Sequence, residues 1–248
     1  MLKKIISPAA GCGGGKLVIA FLFLSMLVLS RLTAHDLVAV TESGETVVIA
    51  EVEKDIEVLT LTLRNSGITM ADPAVRIAGL AELSKLREIT FYHVPQLDSF
   101  DFLSDCMSLE RLIISFARVR STRFLKGLQN LELLHLELCD DWETDSGLAF
   151  LNEPLDLLSN SSLEYLAFRV CDLKRVPVIV NIPKTLRILD ISYNAIDIDD
   201  ADTPALEALR HVERIYVNGN TVTGPILSAY GNIVLENSDD LLSRYLDD

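Results

Sequence analysis

Positive charge is what this chain most lacks. Its 248 residues carry 22 Lys and Arg against 36 Asp and Glu, a formal charge of −14. Residues 1–34 hold four basic residues and no acid, so residues 35–248 keep 18 bases against all 36 acids, a formal −18. Such a surface is repelled by phosphate backbones, which excludes nucleic acid as a partner class. Catalytic groupings are missing too. No nucleophile stands with a base and an orienting group in a recognisable pattern. The Gly-rich GCGGGK near the N-terminus lacks the Walker spacing and its Ser/Thr, so it is no nucleotide loop. Long apolar runs are absent but for one, LVIAFLFLSMLVLS (Leu17 to Ser30), whose 14 residues fall short of the roughly 20 a membrane span needs.

That run follows a segment with Lys3, Lys4 and Lys16 and no acid, so residues 1–34 read as an export signal. Cleavage after Ser30 or Ala34 is one outcome; an uncleaved anchor through residues 17–30 is the other. Cys12 precedes the run, out of place for a lipoprotein cysteine. Residues 35–55 then hold two alternating runs around Ser43-Gly44, expected to form a hairpin that caps the N-terminal end of the fold.

What the chain has in quantity is a recurring phrase. LRILDISYNAI (Leu186 to Ile196) and VERIYVNGNTV (Val212 to Val222) share apolar, two spacers, apolar, one spacer, apolar, two spacers, Asn, one spacer, apolar. Five weaker copies precede them, so the leads fall at 58, 86, 109, 131, 163, 186 and 212, in steps of 28, 23, 22, 32, 23 and 26. The 32-residue step implies an insertion after the fourth copy, where Trp142 lies among Asp140, Asp141, Glu143 and Asp145. Alternation inside the phrase predicts a short strand with one buried face. The Asn offers donors and acceptors to a backbone that turns while buried. The earlier copies carry Ser66, Val94, Ala117, Cys139 and Cys171 at that offset, which predicts a poorer turn network there.

This phrase resembles the leucine-rich-repeat family, whose pattern is L-x-x-L-x-L-x-x-N/C-x-L, over residues 56–224. The resemblance implies an α/β solenoid of about seven repeats, a curved horseshoe with a parallel sheet on its concave face and short helices and irregular turns on its convex face. Of the convex segments, ADPAVRIAGLAEL and DTPALEALRHV read as helical, the second with Thr203 as N-cap and Pro204 at the first position. RVPVIVNIPKTL, with Pro177 and Pro183, reads as extended or a tight turn. Residues 225–248 are expected to close the stack with an irregular turn, a short polar helix and an acidic tail. In this register Cys139 and Cys171 point inward as reduced thiols, with a bridge between them as the alternative, and Cys106 has core spacing. The cysteine-rich caps of many secreted repeat proteins are absent.

The resemblance implies a non-enzymatic protein-interaction module that recognises a partner protein through its concave face. The N-terminal segment makes it secreted, periplasmic or at the cell surface, or else anchored to the membrane by residues 17–30. No cofactor and no metal are expected, and contact with membrane only through the N-terminal hydrophobic segment. Candidate contacts on that face are Tyr92, His93, Arg111, Phe116, His135, Tyr165, Arg169, Tyr193, Arg214 and Tyr216. Four of the chain's six tyrosines lie among them. Tyr and Arg gain most when a partner covers them, although Tyr also suits exposed strands by β propensity alone. The acidic surplus favours a partner with basic patches. A different class of function, a calcium-dependent or structural envelope factor, would use the acidic loops, with DIDDAD (Asp197 to Asp202) as the richest cluster.

Overall fold

A computed structural model describes residues 34–139, 148 and 153–247. The expected export segment up to residue 33, with Cys12, and the insertion residues Asp140, Asp141, Trp142, Glu143 and Asp145 lie outside the described residues. Among the described residues no helix is long and apolar enough to cross a membrane.

The strands, in chain order, are β1 (Ala34–Thr41), β2 (Thr46–Glu53), β3 (Val58–Leu61), β4 (Ala74–Ala78), β5 (Glu88–Val94), β6 (Arg111–Ala117), β7 (Leu133–Glu137), β8 (Leu155–Asp156), β9 (Tyr165–Arg169), β10 (Ile179–Val180), β11 (Ile188–Asp190), β12 (Asp197–Ile198), β13 (Arg214–Tyr216), β14 (Thr221–Val222) and β15 (Ile233–Val234). Eight of them form one sheet in the order β15-β13-β11-β9-β7-β6-β5-β3. Each pair in it is parallel. Six of these strands arise from the phrase in the register read from the sequence. The first copy is corrected: Val58 is 52% exposed, and Leu59 and Leu61 pair with Ile89 and Phe91, which moves its lead two residues earlier to Ile56. The fold is therefore α/β, mostly parallel sheet with few helices.

The phrase explains the strands. Its alternating apolar positions, such as Ile89 and Phe91, Leu112 and Ile114, or Leu189 and Ile191, all enter one continuous core. The lead residues Leu86, Leu109, Leu131, Leu163, Leu186 and Val212 are buried beside them. Each such leucine contributes about 1.5–3 kcal/mol relative to exposure. Tight returns connect the strands, and successive returns touch. A Cβ on Gly127 would lie 1.8 Å from the Ser104 carbonyl oxygen, so that contact requires glycine.

The turn position works as the phrase demands. Asn194 Nδ2 donates to the Phe168 carbonyl at 2.7 Å, and its Oδ1 accepts from the Cys171 and Leu173 amides at 2.8 and 3.2 Å. Asn220 Oδ1 accepts from the amides of Asn194 and Ile196, while its Nδ2 donates to the Ile191 carbonyl. The cysteines make the thinner version. Cys139 Sγ reaches the Ile114 carbonyl at 3.3 Å and Cys171 Sγ the Leu136 carbonyl at 3.5 Å. A thiol donates once and accepts weakly, so it cannot serve the following amides as Asn does. Cys106, Cys139 and Cys171 are free and buried.

Three local expectations are corrected. ADPAVRIAGLAEL is not helical: Ala74–Ala78 is a strand, paired antiparallel with β1, followed by a 3-10 turn at Leu80–Glu82. The β1-β2 hairpin leaves β1 with an open edge, and Val75 and Ile77 suit a strand that fills it. The helix Thr203–Ala208 is capped at Asp202, not Thr203, because a capping box between Asp199 and Asp202 turns the chain one residue earlier. At the C-terminus an eighth strand, Ile233–Val234, extends the sheet, and the last helix, Leu241–Asp247, presents leucines to the sheet rather than a polar exterior.

Candidate functional site

The face of the sheet turned away from the core carries side chains in rows set by register. One row runs Glu88, Arg111, Leu133, Tyr165, Ile188, Arg214; the next runs Thr90, Ile113, His135, Ala167, Asp190, Tyr216. Extending the same register gives Tyr92, Ser115, Glu137, Arg169 and Ser192. One step further lie His93, Phe116, Leu138, Val170, Tyr193 and Gly219, each seven residues after its phrase lead.

That last row is unusual in its backbone. His93, Phe116, Leu138, Val170 and Tyr193 have φ of 55, 53, 51, 51 and 61°, and Gly219 has φ 77°. Left-handed backbone costs a non-glycine residue about 1–2 kcal/mol, most for a β-branched one such as Val170. At the sixth position a side chain is impossible as well, since a Cβ on Gly219 would come 2.7 Å from the Tyr193 ring. The kink turns the row outward. Phe116, Val170 and Tyr193 are 36, 37 and 37% exposed, and neighbouring Tyr92 is 54% exposed. His93 stacks on Phe116 with centroids 5.7 Å apart, and Tyr92 meets the same ring edge-on at 6.4 Å. Beyond them Phe116, Leu138, Val170, Tyr193 and Ala195 line a shallow depression of about 330 Å³. The result is a ledge of aromatic and aliphatic groups along the carboxyl ends of the strands.

The middle rows look different, because the C-terminal segment lies across them. Leu241 is buried against Ile113, Leu133, Tyr165, Ala167 and Tyr216, with Leu242 and Leu246 packed alongside. Arg169 pairs with Asp239, Ser192 meets Ser238 at 3.2 Å, and Arg111 Nη1 donates to the Leu246 carbonyl at 3.4 Å. Beneath the helix Tyr165 and His135 stack at 6.1 Å, and Asp190 stands 3.7 Å from Arg169. Arg169 also sits over the Tyr193 ring, 5.4 Å from its centroid. The Arg169 guanidinium and the Asn237 amide hold the Asp239 carboxyl below its usual range, Asn237 having the larger effect.

The expectation of one open concave face is thereby corrected. Tyr92, His93, Phe116 and Tyr193 come together on the ledge. His135, Tyr165, Arg169 and Tyr216 are buried under the C-terminal segment. Arg111 is drawn to Glu88 and the helix end, and Arg214 is exposed, donating to the Tyr216 hydroxyl at 3.2 Å. Sequence reasoning missed Leu138 and Val170, although the constant offset of seven from the phrase lead would have found both. Two acids of DIDDAD are engaged locally: Asp202 accepts from the Val176 and Asp199 amides and pairs with Arg175, which also reaches Asp199.

No protein-family model matches the chain, and no curated protein does. Among solved structures it is similar to an internalin from Listeria monocytogenes, at 15% identity and a TM-score of 0.33, covering 66% of this chain and 58% of that one. The chain thus spans less than two thirds of that protein's length.

Proposed function

We propose that this chain is a non-enzymatic protein-binding module of the leucine-rich-repeat type, exported or membrane-tethered, with seven repeats stacked as a solenoid over residues 56–224. Residues 35–55 cap its N-terminal end and residues 225–248 its C-terminal end. Its partner is a protein with basic patches, and its contact surface is the ledge of Tyr92, His93, Phe116, Leu138, Val170 and Tyr193.

The ledge carries this reading. Five successive strands hold a non-glycine residue in left-handed backbone at the same register, and all five side chains are aromatic, imidazole or branched groups left partly in water. Folding the sheet does not require such side chains there, since glycine serves at the sixth position. Repeated strain beside exposed aromatics is what a recognition edge uses, with burial of the rings supplying the affinity. The acidic surplus steers a basic partner and makes association weaken with salt.

The test replaces Tyr92, Phe116 and Tyr193 together by Ala and compares proximity labelling of the variant and the parent chain in the native cell. Loss of labelled partners, with the melting temperature retained, supports the ledge. An unchanged set of partners refutes it.

A further inference from the structure

The covered rows carry a second inference. The C-terminal segment is not needed to complete the core. The apolar cluster it enters shares no residue with the main core on the other side of the sheet. Among the described side chains it is held by polar contacts from Asp239, Ser238 and Asn237, by the Leu246 carbonyl, and by leucines of a seven-residue helix.

The groups beneath it are poorly served. His135 and Asp190 are fully buried and Arg169 nearly so, yet His135 Nε2, Asp190 Oδ2 and Arg169 Nε form no hydrogen bond. Their nearest opposite charges stand at 3.9 Å for His135 with Glu137 and 3.7 Å for Arg169 with Asp190. Each buried polar group left without a hydrogen bond is a cost to the closed state, and three such groups stand together under the tail. A face that opens to water, or that receives a better-matched ligand, carries no such cost.

We propose that the face spanning β6 to β13 is a binding site for a short amphipathic helix of a partner protein, led by a carboxylate. The chain's own residues 237–247 occupy it in this state as a displaceable stand-in. The stand-in defines the chemistry: Asp239 for Arg169, then Leu241, Leu242 and Leu246 on one side for the apolar band of Ile113, Leu133, Tyr165 and Tyr216. A partner helix with Asp-x-Leu-Leu-x-x-x-Leu fits the same rows. The protein is thus closed until such a helix displaces the tail. The two surfaces share Tyr193, whose hydroxyl donates to Asn237, so Tyr92→Ala and Phe116→Ala probe the ledge without touching the tail.

The experiment inserts a protease site between Leu235 and Glu236, where Leu235 is exposed, into the full chain. A fluorescent synthetic peptide of residues 236–248 is the probe, read by anisotropy before and after cutting. The cut protein should take up the peptide saturably. The uncut chain should bind about tenfold or more weakly, because the tethered tail competes at high effective concentration. A peptide with Leu242→Ala and Leu246→Ala should not bind, and one with Asp239→Asn should bind more weakly. A second, uncut variant with Leu242→Glu and Leu246→Glu should keep the parent's circular dichroism and bind the peptide as the cut protein does. No peptide uptake by either folded protein overturns the proposal. Loss of the fold in both also overturns it, since the tail would then be a structural part. Concentration-dependent dimers of the uncut chain that exchange tails overturn it in favour of a second copy as occupant.

Discussion

Replacing Asn194 by Ala should destabilise the protein by about 3–5 kcal/mol, more than a typical core substitution. Asn194 is 2% exposed, and its amide serves five backbone groups in two consecutive turns. Nδ2 donates to the carbonyls of Phe168, Ile191 and Ser192 at 2.7, 2.8 and 3.1 Å, while Oδ1 accepts from the amides of Cys171 and Leu173. Alanine leaves two buried N–H groups and the Phe168 carbonyl without partners, each worth about 1–3 kcal/mol, with some relief if water enters the space. Asn220 makes similar bonds at a site water can reach, so Asn220→Ala should cost less, about 1–2 kcal/mol. Urea unfolding followed by circular dichroism measures both, with the slope against denaturant required to stay constant. A loss below about 1 kcal/mol for Asn194→Ala, or a larger loss for Asn220→Ala, would refute the ladder argument.

Three further outcomes are expected. Gly127→Ala should lose about 2–4 kcal/mol although alanine usually rigidifies a chain favourably, because its Cβ meets the Ser104 carbonyl; thermal melts decide it, and a neutral effect removes the contact's importance. Burial pushes the Cys106 thiol up to about 12 and Cys171 upward as well, so maleimide at neutral pH should label Cys106, Cys139 and Cys171 only after unfolding; rapid labelling of the native protein contradicts the packing. Asp239 titrates below its usual 3.8 when docked, so its ionised form favours the closed tail; this contribution is complete above about pH 3.8 and is lost as pH falls through the docked value. Hydrogen exchange of residues 241–247 should quicken in that acid window, and unchanged protection there counts against the Arg169–Asp239 contact.

The seven strands and their parallel order were legible because each phrase buries its own alternating residues against its neighbours, so local pattern and global fold agree. The ladder was legible for the same reason, down to Cys139 and Cys171 standing where Asn194 and Asn220 stand. Ala74–Ala78 was not. Its apolar spacing fits a helix as well as a strand, and only the open edge of β1 decides between them. The eighth strand, Ile233–Val234, follows a lead at Tyr230, only 18 residues after Val212. That copy of the phrase is too degenerate to stand out, and its strand pairs along the edge of β13.

Which residues share the outer face of the sheet is therefore a property of the sequence alone: register places Tyr92, His135, Tyr165, Arg169 and Tyr216 there whatever covers them. Whether that face meets water is not. Leu241, Leu242 and Leu246 lie far from Ile113 and Tyr165 along the chain, and no local periodicity records that they meet. The left-handed ledge sits between the two cases. Its offset recurs in the sequence, but its outward turn comes from sterics of the packed strand ends, and only the folded sheet divides an open edge at Phe116, Val170 and Tyr193 from a closed centre at Tyr165.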